Sequence, residues 1–159
     1  MNEPLARLHE IDAEIQLVDH MNSILNWDQE TYMPEQAIEE RSRQIAYLET
    51  LAHAKQTASE VGEAFDRLGV SDATPMGNET LDETDRLFLR RFYREYRRSS
   101  KLPAELVSRL AETASRGQAA WAKARKAADF SLFAPHLTPI IDLVLARARL
   151  LGYDEHPYA

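Results

Sequence analysis

The side chains with the most capacity for chemistry are five histidines, His9, His20, His53, His136 and His156, among 26 acidic residues. A zinc peptidase helix needs two histidines four residues apart, so that both imidazoles reach the metal, with a glutamate between them to activate its water. His9-Glu10 begins that pattern, but Ala13 stands where the second ligand is required. His9 therefore reads as a surface histidine. His136 and His156 lie close to prolines near expected helix ends, where an imidazole bonds backbone carbonyls. There is no cysteine, no G-x-S-x-G elbow and no glycine-rich phosphate loop. The spacing assigns no catalytic residue and no metal ligand.

Two segments hold denser chemistry. Leu25–Pro34, LNWDQETYMP, is unusually rich for a connector between helices. Trp27 and Tyr32 could plug the end of a helical hairpin while Asp28 caps the next turn. Alternatively Trp27, Asp28, Gln29 and Tyr32 face a substrate cleft built with another part of the protein. The second segment, Arg86–Lys101, sets seven basic residues among Phe88, Phe92, Tyr93 and Tyr96. Such interleaving could hold a nucleic-acid backbone and stack its bases. On a helical projection, however, the basic residues share one stripe and the aromatics the other side, as for a solvated face over an aromatic core.

The elements that must position these residues are helical. Ala, Glu, Lys, Leu and Arg make up 76 of the 159 residues, while glycine and proline together number 12, a balance that suits long helices and excludes an all-β fold. The expected class is all-α without a sheet: an antiparallel hairpin followed by a bundle, about five to six helices in one region over 1–159. Leu5, Leu8, Ile11, Ile15 and Val18 mark a first helix over Pro4–Asn26. Pro34 suits a first helical position, with Ile38, Ile45, Leu48 and Leu51 behind it. Thr57 with Glu60, and Thr80 with Glu83, fit capping boxes for two further helices, the second running to Ser99. Between them residues 69–79 read as a flexible loop.

Pro103 opens another helix towards Ala128, and Ile140–Leu151 form the last, stopped by Gly152. Its apolar positions sweep roughly 220° of surface, more than one neighbour covers, so an exposed seam and self-association are expected. The net charge of -7 disfavours general nucleic-acid binding. The start MNEPLARLHEID lacks a secretion signal, and no stretch is apolar enough to span a membrane. A cytoplasmic location is the expectation.

Taken together, several segments resemble the opening of the carboxypeptidase Taq family of zinc metallocarboxypeptidases. LNWDQETYMP with its following acidic, arginine-bearing helix, KLPAELV at Lys101–Val107, WAKARKAADFSLF at Trp121–Phe133 and LLGYDEHPY at Leu150–Tyr158 occur in the family's order. The resemblance implies an almost wholly helical enzyme, a cytoplasmic homodimer with one metal in a deep cleft, removing C-terminal amino acids from peptides with broad specificity. Its metal site uses an H-E-x-x-H helix and a downstream glutamate, none of which is present here. The chain thus resembles the first third of such an enzyme: a cleft wall or cap and scaffold that binds no zinc and is inactive by itself. The other reading is a stand-alone helical module whose basic helix, residues 86–101, docks an acidic partner or nucleic acid.

Overall fold

A computed structural model describes residues 3–157; Tyr158, the last residue of the LLGYDEHPY motif, lies outside them. Six α-helices and two short 3-10 turns follow one another, with no strand among the described residues. The first helix, α1, is Glu3–Thr31, ending five residues beyond the end that its apolar stripe predicts. The connector residues Trp27–Thr31 form its last turn, where the Thr31 hydroxyl donates to the Trp27 carbonyl. The helix closes when the Asp28 carbonyl accepts from the amides of both Tyr32 and Met33. Pro34 is extended, at φ -60° and ψ 139°, and flanks a 3-10 turn over Glu35–Ala37 rather than occupying a first helical position. It also turns Met33 away from helical geometry, which ends α1. The second helix, α2, is Ile38–Gln56.

The chain divides into two compact units. One comprises the described residues up to Leu17 with Ala52–Lys101. Here α3 is Ser59–Arg67 and α4 is Glu83–Ser99. Leu5, Leu8, Ile11 and Ile15 bury one face of α1 against Val61, Phe65, Leu89 and Phe92. Phe65 is the hub, its ring centroid 5.8 Å from Phe92 and 5.1 Å from Tyr93, edge-on to the latter. Gly62 permits this packing, because a β-carbon there would lie 2.7 Å from the Tyr96 hydroxyl. Asp12 is buried in the same unit, and its carboxylate accepts from Arg91 at 2.8 Å and from Gln16, which offsets the cost of desolvating the charge.

Neither expected capping box forms. Because α2 reaches Gln56, the Thr57 amide and hydroxyl both still bond back to the His53 carbonyl; Ala58 flanks α3 without a side-chain cap, and Glu60 turns to Arg7. At α4 the cap is Asp82, whose carboxylate accepts from the Asp85 amide at 2.9 Å. The segment between α3 and α4 is tied down at several points. Val70 is buried, the Thr74 hydroxyl donates to the Gly69 carbonyl, and Asp72 accepts from Tyr93 and Arg97.

The other unit comprises Val18–Leu51 and the residues from Leu102 onward. Within it the end of α1 and the start of α2 run antiparallel: Asp28 pairs with Arg41, and Asn22 with Glu49. The fifth helix, α5, is Ala104–Ala127 and the sixth, α6, is Ala134–Leu151. Ala128 adopts the left-handed conformation, φ 52°, to end α5. Asp129 then caps a 3-10 turn over Phe130–Leu132, accepting from the amide and hydroxyl of Ser131. The helices α5 and α6 pack where Gly117 exposes bare backbone, since a β-carbon there would sit 2.5 Å from Ile140 Cδ1. Gly152, at φ 87°, follows α6 as its cap. No helix among the described residues is long and apolar enough to cross a membrane.

Candidate functional site

The connector's side chains separate into two pairs. Asp28 does not cap the following turn; its carboxylate accepts from Arg41 Nη2 at 2.6 Å, while Arg41 Nη1 donates to the Leu25 carbonyl at 2.6 Å. One guanidinium thus ties the last turns of α1 to α2, using the planar fork that suits a carboxylate. Gln29 faces α5. Its amide nitrogen donates to the Ser115 carbonyl at 3.1 Å and to Gln118 Oε1 at 2.9 Å, and its oxygen accepts from the Ser115 hydroxyl at 2.7 Å. Trp27 and Tyr32 remain 59% and 76% exposed, meeting edge-on with ring centroids 5.6 Å apart. Neither ring plugs the hairpin end.

Of the four candidates, Gln29 lines a groove of about 430 Å³. Met33 and Ile38 line it on one side, and Gln118, Leu132 and His136 on the other. Ion pairs bridge its rim, Glu39 to Arg116 at 2.6 Å and Glu35 to Lys123 at 3.2 Å. Arg116 also holds Glu112 at 2.7 Å, while its Nε is buried without a hydrogen-bond partner among the described residues. The buried Ser115 hydroxyl donates to the Gln29 amide oxygen rather than to a general base. The chemistry available is positioning, by hydrogen bonds and ion pairs that hold a helix end.

A metal finds no seat here: among the described residues no group of three or more His, Asp or Glu side chains could hold one. His9 stacks on Phe88 at 3.9 Å and meets Asp85 at 3.2 Å, whereas His53 bonds the Ser99 carbonyl. In α4 the aromatics turn inward, with Phe92 fully buried and Phe88, Tyr93 and Tyr96 packed on the core, leaving arginines outside. In the unit that holds the groove, the carboxyls of Glu49 and Asp129 shift. Burial raises that of Glu49, helped by Asp19 and opposed by its bond from Asn22 and by Arg147. Hydrogen bonds from Ser131 lower that of Asp129.

Sequence reasoning missed Arg41, Ser115 and Gln118 as partners of the connector. Their types are ordinary on helices, and only the register between α1, α2 and α5 selects them. Gly117 did leave a signal, since a lone glycine inside a helical pattern marks a close backbone approach.

The sequence model of the carboxypeptidase Taq (M32) metallopeptidases matches residues 7–159. A thermostable carboxypeptidase 1 of Pyrococcus furiosus is 32% identical over 157 residues, covering 99% of this chain and 30% of the relative. One of Thermus thermophilus is 27% identical over 144 residues, covering 91% of this chain and 28% of the relative. The crystal structure named BsuCP superposes with a TM-score of 0.89 at 25% identity, over 98% of this chain and 30% of that one. The chain spans about 30% of the length of the relatives it matches.

Proposed function

This chain belongs to the carboxypeptidase Taq (M32) metallopeptidase family, and from that premise we propose that it is the N-terminal helical region of an enzyme that releases C-terminal amino acids from peptides. The observation that carries the reading is the family match over residues 7–159 together with a superposition covering 98% of the chain. In this reading the region is scaffold and cleft wall. The metal, zinc or another divalent ion, belongs to an H-E-x-x-H helix and a glutamate beyond these residues, where it would polarise the scissile carbonyl and activate water.

Among the described residues no group of three or more His, Asp or Glu side chains could hold that ion, and in this reading the chain's part is to position. Arg41 and Gln29 hold the last turn of α1 against its neighbours, which leaves the exposed Trp27–Tyr32 pair at a fixed place to border the cleft. The enzyme works as a cytoplasmic homodimer, and this region alone is inactive.

Two measurements test the proposal. The reading frame continued past Ala159 should encode H-E-x-x-H, and the enzyme made from it should release C-terminal residues from peptides and stop when the metal is chelated. The 159-residue chain, purified metal-free and titrated with zinc, should hold none stoichiometrically and release no amino acid. One tightly held zinc per chain, or chelator-sensitive release by the chain alone, overturns it.

A further inference from the structure

The outer face of α4 forms a second groove that the carboxypeptidase reading does not use. Arg90, Arg94, Arg97 and Arg98 line it, and the loop residues Asp72 and Pro75 rise beside the helix as a wall. Leu87, 44% exposed, and Tyr93 contribute apolar surface. Two neighbouring arginines are neutralised within the chain. Arg91 pairs with Asp12 and Glu95, and Arg97 with Asp72 at 2.8 Å. Arg90, Arg94 and Arg98 have no acidic partner among the described residues, and all three are exposed. In a chain of net charge -7 this is a concentrated patch of the opposite sign.

The spacing of those three arginines selects a shape of ligand. At about 1.5 Å of rise per residue, positions four apart on one helix face lie ~6 Å apart, so the row spans ~12 Å. An extended peptide rises ~3.3 Å per residue, which puts alternate side chains ~6.6 Å apart on one side. Three carboxylates at alternate positions therefore stay within about 1 Å of register along the row. Asp72 already shows the chemistry the groove accepts, one carboxylate taking hydrogen bonds from both Arg97 and the Tyr93 hydroxyl. A nucleic acid would lack its stacking partner, because Tyr93 is packed edge-on against Phe65 and no other aromatic lines the groove.

We propose that this groove binds an extended acidic segment of a partner protein, its alternate carboxylates seated on Arg90, Arg94 and Arg98. The proposal stands independently of the peptidase assignment. The probe is a fluorescein-labelled peptide of five Glu-Ser repeats, followed by anisotropy as the 159-residue chain is added in ~50 mM salt, beside a Gln-Ser control. The glutamate peptide should bind at least about tenfold tighter than the control and weaken as salt rises. Changing Arg90, Arg94 and Arg98 together to Ala should cost about tenfold or more, with circular dichroism verifying the helices, whereas Arg149→Ala in α6 should change nothing. Asp72→Asn should tighten binding several-fold by releasing Arg97, an effect that a merely structural Asp72 would not produce. Equal binding of the two peptides, an unaffected triple variant, or weaker binding by Asp72→Asn overturns the proposal. So does a ten-nucleotide single-stranded DNA that binds tighter than the glutamate peptide.

Discussion

Replacing Gln29 by Ala removes three hydrogen bonds at once: those to the Ser115 carbonyl and Gln118, and the one accepted from the Ser115 hydroxyl. At a net of about 1 kcal/mol each, the gross loss is ~3 kcal/mol. Some of it returns. Alanine gains a few tenths of a kcal/mol in helix propensity, and water or a neighbouring α5 carbonyl partly satisfies the freed Ser115 hydroxyl. A net destabilisation of ~2 kcal/mol remains, which for a chain of this size lowers the urea midpoint by ~1 M. Gln118→Ala gives up one of the three bonds and should cost ~1 kcal/mol. Ser115→Ala also gives up one but recovers about 0.5 kcal/mol as a better helix former, so it should cost ~0.5 kcal/mol. Trp27 and Trp121, the only two tryptophans, lie in the same unit as Gln29, and their fluorescence during urea unfolding reports on that unit. A Gln29→Ala midpoint within error of wild type, or a Ser115→Ala cost exceeding that of Gln29→Ala, would refute the positioning argument.

Three other perturbations have definite outcomes. Ala128→Gly relieves the left-handed φ of 52° at the end of α5 and should stabilise the chain by ~0.5 kcal/mol after glycine's greater unfolded-state freedom is subtracted; a thermal melt reads the sign. Burial holds the Glu49 carboxyl above its ordinary value of 4.5, so its contribution to stability is complete below that pH and is lost as pH rises through the raised folded value. Glu49→Gln keeps an acceptor for Asn22 and removes that loss: urea midpoints should nearly coincide at about pH 4, and the variant should be the more stable at about pH 7.5. Finally, Ile141, Val144 and Leu150 are exposed along α6, so sedimentation should show concentration-dependent self-association, relieved by changing Val144 and Leu151 to Lys; a strictly monomeric wild-type chain would refute it.

Periodicity made the helices legible because burial on one face repeats every three to four residues. Leu5, Leu8, Ile11 and Ile15 do point into one core, and the aromatic side of α4 does face it. Ends were harder, because competing local bonds decide them by margins of about 1 kcal/mol. Thr57 had the right type and spacing for a cap, yet the α2 ladder still claimed its amide and hydroxyl. Asp82, two residues beyond the expected Thr80, captured the start of α4 because its carboxylate reaches the Asp85 amide.

The connector shows why residue type could mark a region without giving its geometry. LNWDQETYMP stood out as too polar and too aromatic for a simple turn, and the anomaly was real, but its first seven residues are helical. That extension sets the directions of the side chains. At about 100° per residue, Trp27 stands roughly 200° from Gln29 around the axis, so a helix that brings Gln29 onto α5 necessarily carries Trp27 to the opposite side. A loop would have imposed no such relation. The exposed Trp27 and Tyr32 are therefore a consequence of the same turn that directs Gln29 to α5 and Asp28 to Arg41. The polar pair thus spends its hydrogen bonds on α2 and α5, while the two rings lie exposed against one another.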